Sequence, residues 1–108
     1  MMGIHKFFVD VEKTVMVSEP DLWYGKNEVE VSLFVTDEFH GQVEVRIFVE
    51  SVDDLAMVHS VTVVTAGMDF DEKYRKVKEV FSTEKKLFDS IPDTVDVSTL
   101  KKMGFEYW

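Results

Sequence analysis

Hydrophobic and polar positions alternate through the first half of the chain. Between Phe7 and Val17, one set of side chains reads Phe7, Val9, Val11, Val15 and Val17. That period of two marks a half-buried strand. Residues 28–36 repeat the pattern with Val29, Val31, Leu33 and Val35 on one face, and residues 43–50 alternate again. His59–Thr65 is rich in β-branched residues and reads as a fourth strand. Turn formers separate these runs. Residues 18–27 form a loop holding Pro20, Gly25 and Asn27. Residues 37–42 form a hairpin loop, with Gly41 where positive φ is needed. Residues 52–57 read as a connecting turn or one short helical turn.

The period changes after Gly67. Asp69 is a helix cap, and Glu72 three residues later completes a capping box. Phe70, Tyr74, Val77 and Phe81 follow at steps of four, three and four, a helical apolar stripe suited to packing on a sheet. Ser82-Thr83 is either a break or a second cap, Leu87, Phe88 and Ile91 continue the apolar pattern, and Pro92 stops the helix. A short helical turn then has Ser98 as its N-cap candidate and Gly104 at its C-terminal end. The expected fold is α+β. An antiparallel four-stranded β-meander carries one main α-helix packed on one face, and a short helical turn ends the chain. One domain spans 1–108, with an acidic sheet in 1–66, the helix in 69–91 and the turn and tail in 98–108.

Composition narrows the chemistry. There is no Cys, which excludes disulfides, thiolate metal sites and a cysteine nucleophile. The opening Met1–Lys6 reaches charge before any apolar run of signal-peptide length, and no window approaches the roughly 20 apolar residues of a membrane helix. The expected location is therefore cytoplasmic, with no membrane partner. The net charge is −9. It is uneven: residues 1–72 hold 15 acids and 4 bases, net −11, whereas residues 73–108 hold 6 acids and 8 bases, net +2. Direct binding to nucleic acid is disfavoured by that field.

Motifs for catalysis or cofactor binding are missing from the sequence. None of the three histidines, His5, His40 and His59, stands four residues from another, and glycine-rich phosphate loops, nucleophile elbows and calcium-loop spacings do not occur. His40 near Asp37 and Glu38 is read as an ordinary polar turn, and Asp69, Asp71 and Glu72 as helix-capping acids. No cofactor and no metal are expected, and the chain is expected not to be an enzyme.

What remains is the sheet face turned away from the helix. Strand alternation assigns it Phe8, Phe34 and Phe48, one ring per strand, with Glu30, Glu44 and Glu50 as an acidic rim. Apolar anchors inside a polar rim are the anatomy of a protein interface. Two readings of these rings stand: a binding face, or a second small core covered by the Trp23 loop or by the tail Phe105, Tyr107 and Trp108. Trp23 and Tyr24, in a loop bounded by Pro and Gly, are either a further recognition tip or a tucked anchor. The expected function is a small acidic protein-binding module, an inhibitor or adaptor. By analogy of size and charge it would be of the type found among phage and mobile-element accessory proteins. Its expected partner is a protein, for instance a basic nucleic-acid-binding one whose ligand the carboxylates would mimic. The alternative is an assembly subunit forming a homo-oligomer through the sheet, so monomer and homodimer both stay open.

Overall fold

The computed structural model describes residues 4–17, 28–50 and 56–107. Its centre is four successive antiparallel strands, β1 (Val11–Val17), β2 (Glu28–Val35), β3 (Gln42–Val49) and β4 (Met57–Val64). The sheet is larger than the sequence pattern indicates, and it is mixed. β5 (Thr94–Val95) joins β1 in parallel and β6 (Glu106–Tyr107) joins β4 antiparallel, giving the order β5-β1-β2-β3-β4-β6. Two-residue strands carry no readable alternation, which is why sequence periodicity misses them. The helix α1 (Phe70–Ser90) covers one face, and the short helix α2 (Val97–Lys102) closes the core beside it.

The alternation in β2 and β3 explains the layering. Val29, Val31, Leu33, Val35, Val43, Val45, Ile47 and Val49 are each no more than 1% exposed. Burying such a side chain contributes about 1.5–3 kcal/mol, so these eight define the side that α1 must cover. From the helix, Val77 and Phe88 enter that core; from the C-terminal segment, Val97, Leu100 and Phe105 do.

β1 departs from expectation at both its start and its middle. The strand begins at Val11, because Ile4–Phe7 form a 3-10 turn and Phe8 lies in the bend after it. The rings of Phe7 and Phe8 find partners on α1 instead of places in a strand. Phe7 meets Phe70 edge-on at 5.0 Å, and Phe8 lies 5.6 Å from Tyr74 and 5.3 Å from Phe81. Val9, expected inside, is 80% exposed. Within the strand, Lys13 faces the helix layer. Its Nζ donates to the Phe88 carbonyl at 2.6 Å and the Ile91 carbonyl at 2.9 Å. α1 has no basic residue in its own last turn. The sheet therefore supplies the cation that the helix C-terminus favours. Burial lowers the Lys13 pKa, partly opposed by Asp89 and Asp93.

The termini of both helices follow local chemistry. Asp69 accepts from the Glu72 N–H at 2.9 Å, as the capping pattern implies. α1 runs unbroken through Ser82 and Thr83, and the Thr83 hydroxyl donates back to the Glu79 carbonyl at 3.2 Å. α2 is capped by Asp96, not by Ser98. Asp96 is extended, and its carboxylate accepts from the Thr99 N–H at 2.6 Å. At the β2–β3 hairpin, His40 and Gly41 both have positive φ, 52° and 72°. That is the primed two-residue turn, closed by reciprocal backbone bonds between Phe39 and Gln42. A Cβ on Gly41 would stand 2.9 Å from the Ala66 Cβ, so space and backbone both require glycine.

Asp96 gives a pH-dependent prediction. Hydrogen bonds from the Thr99 side chain and backbone hold its carboxyl below the ordinary 3.8. A carboxylate with a lowered folded pKa contributes stability that is present above its unfolded value and is lost as pH falls through the folded one. Asp96→Ala is expected to lower the urea midpoint near neutral pH. The difference from the parent protein should shrink on acidification below 3.8.

Candidate protein-binding face

The outer face of the sheet is assembled by strand register. Ser32 of β2 stands opposite Phe48 of β3, and Phe34 opposite Arg46. Phe34 and Phe48 are therefore diagonal neighbours, not an opposed pair. The line continues into β4, where Val58 stands opposite Phe48. All three side chains are half-buried. Carboxylates surround them. Glu12 stands opposite Ser32, Glu28 opposite Met16, Glu30 opposite Thr14, and Glu44 opposite Thr62. Glu106 borders Val58 from β6. The Thr14 hydroxyl reaches Glu30 at 3.4 Å. Among the described strand residues, Arg46 is the one cation on this face, and its Nε donates to Glu44 at 2.7 Å. Its charge is thus spent locally, and the face remains acidic.

The outer-face residues Phe34, Phe48, Glu30 and Glu44 come together on β2 and β3, and Glu50 follows directly after β3. Phe8 does not join them. It precedes the strand and packs against Tyr74 and Phe81 on the helix side, because β1 starts four residues later than the alternation at Phe7 indicates. Trp23, Tyr24 and Trp108 lie outside the described residues. The tail does not bring Phe105 over the outer rings; it is 1% exposed in the main core. Tyr107 stands opposite Met57, on the helix side of the sheet, with Lys101 Nζ 5.1 Å from its ring centre.

Compared with protein-family models, with curated proteins and with solved structures, the chain matches none.

The helix side holds a histidine–carboxyl contact that sequence spacing does not reveal. His59 of β4 and Glu84 of α1 bring Nε2 and Oε2 to 2.8 Å. Glu84 is 6% exposed, and its Oε2 has no aligned hydrogen bond. Phe105 closes the site, its ring 5.7 Å from the imidazole. The two residues are far apart in sequence and on different elements, so only the sheet–helix packing joins them. Ser60, next to His59 in the chain, projects from the opposite side of β4. The other histidines are placed elsewhere. His5 Nδ1 contacts the Val35 carbonyl, and the His40 ring lies 4.0 Å from that of Phe39. Among the described residues, no group of three His, Asp or Glu side chains is arranged to hold a metal.

Truncating His59 leaves the buried Glu84 carboxyl group without this close contact. His59→Ala is expected to destabilise the fold by about 1–3 kcal/mol, measured by urea unfolding. Adding Glu84→Gln to that variant should recover part of the loss, because an amide costs less to leave buried than a carboxylate. A double variant no more stable than His59→Ala would show that packing, not the Glu84 carboxyl group, carries the effect.

Proposed function

We propose that the chain is a protein-binding module, an inhibitor or adaptor, whose outer sheet face receives a basic partner. One observation carries this reading. The described elements outside the sheet pack on its helix side, while the opposite face presents apolar side chains among carboxylates. Phe34 and Val58 supply apolar anchors, Phe48 lies between them, and Glu28, Glu30 and Glu44 supply the field. Such a field steers association with a positively charged surface and sets which partners are rejected. A basic nucleic-acid-binding protein has that surface, and the carboxylates would then stand where phosphates normally bind.

Capture from a lysate of the source organism at low and moderate salt, read by mass spectrometry, tests it. The expected result is one stoichiometric basic protein whose retention falls with salt. It should be lost in folded Phe34→Glu and Glu28→Lys/Glu30→Lys variants. A partner that folded outer-face variants retain would overturn the reading.

A second reading, an assembly subunit, draws on the β4 edge. The Thr65 N–H donates to the Gly41 carbonyl, on the β3 side, at 2.8 Å. By alternation, the backbone groups of Ser60, Thr62 and Val64 point the other way. β6 covers only Met57 and Val58 of that edge among the described residues. Residues 60–64 carry no charge, and charge is a common device for blocking edge pairing. β1, at the other side, carries Glu12 and Lys13. If copies pair through β4, light scattering gives a dimer mass that Thr62→Lys returns to monomer. A monomer at all concentrations removes this reading.

A further inference from the structure

A groove of about 490 Å³ runs between the Phe7–Val11 segment and α1, on the side of the molecule opposite the acidic face. Its volume lies within the roughly 300–1,000 Å³ of small-molecule sites. Phe7, Phe8, Tyr74 and Phe81 form its apolar floor, their rings in a chain of contacts 5.3–6.1 Å apart. Its rim is cationic: Lys78, Lys85 and Lys86 line it, with Asp89 as its one acid. Asp89 pairs with Lys85 at 3.0 Å. Lys78 and Lys86 therefore have no acid of the groove to neutralise them. Lys78 Nζ lies 5.8 Å from the centre of the Tyr74 ring, so positive charge stands at the margin of the aromatic floor. In a chain of net charge −9, these lysines reverse the sign of the charge at the groove.

We propose that this groove is a binding site for a free, single-tailed amphiphilic anion, its apolar tail lying along the rings and its head group held by Lys78 and Lys86. Both halves of such a ligand are matched. The aromatic floor removes apolar tail surface from water, and the lysines act as mobile point charges that need no planar head group. A cationic amphiphile would find the same floor and the wrong rim. A second copy of the chain is a poor occupant, because two chains of net charge −9 repel one another.

The probe is decanoate, kept below its micelle-forming concentration, titrated into the full chain and followed by amide chemical shifts. The expected result is saturable one-to-one binding, with the largest shifts at Phe8, Val11, Phe81 and Lys85. Acetate, the head group alone, should not saturate the site. Decyltrimethylammonium should bind at least roughly tenfold more weakly than decanoate. Lys78→Glu/Lys86→Glu alters two exposed positions, so the fold should persist while decanoate affinity falls roughly tenfold or more. Phe34→Glu, on the outer face, should leave decanoate binding unchanged, which separates this site from the protein-binding reading. Equal binding of the cationic amphiphile, or unaltered affinity in the folded lysine variant, would overturn the proposal. So would binding only to phosphatidylglycerol vesicles and not to monomeric decanoate, which would assign the rim to a membrane surface. A concentration-dependent dimer that fills the groove and excludes decanoate would overturn it in favour of a second copy.

Discussion

One constraint organises the molecule: the aliphatic face of β2 and β3 must leave water, and α1 is the main element that covers it. Eight side chains on those two strands are almost wholly buried. A sheet face that apolar cannot stay solvated, whereas its opposite face, alternating with carboxylates, can. The position of α1 follows, and so do the contacts made at its two ends. At its C-terminus, Lys13 reaches across from β1 to the Phe88 and Ile91 carbonyls. Near its N-terminus, Phe7 and Phe8 pack against Phe70 and Tyr74.

The same arrangement divides the charge of the chain between two surfaces. Strand residues facing away from α1 are acidic, with Arg46 engaged by Glu44. Helix residues facing away from the core are rich in lysine, and where the N-terminal segment meets the helix they rim an aromatic floor. The protein thus has an acidic, partly apolar face on one side and an apolar, cationic groove on the other. The two surfaces differ in sign and draw their residues from different elements.

Much of the fold is legible in local pattern, because each rule involved is local. Alternation locates β2 and β3, whose both sides have settled environments. The steps of four, three and four locate α1, and Asp69 with Glu72 marks its start. Gly41 is identifiable as a turn residue because a primed hairpin turn requires positive φ. The errors fall where a long-range partner overrides a local rule. Phe7 and Val9 fit a period of two, yet the rings of Phe7 and Phe8 gain more by stacking on α1. Ser98 resembles a cap, but Asp96 reaches the Thr99 N–H first. Of the outer face, alternation places Phe34, Phe48, Glu30 and Glu44 and misplaces Phe8, because the start of β1 depends on the helix.

By itself, then, the sequence determined an α+β domain with a valine-rich buried sheet face, one long capped helix, a primed hairpin turn and a strongly acidic first two-thirds. These are consequences of period, turn chemistry and composition, which act over a few residues. Only the tertiary structure decided the two short edge strands, the Lys13 cap, the His59–Glu84 pair and the groove between Phe8 and Phe81. Each joins segments distant in the chain. Their geometry is set by how helix and sheet pack, and no local spacing records it.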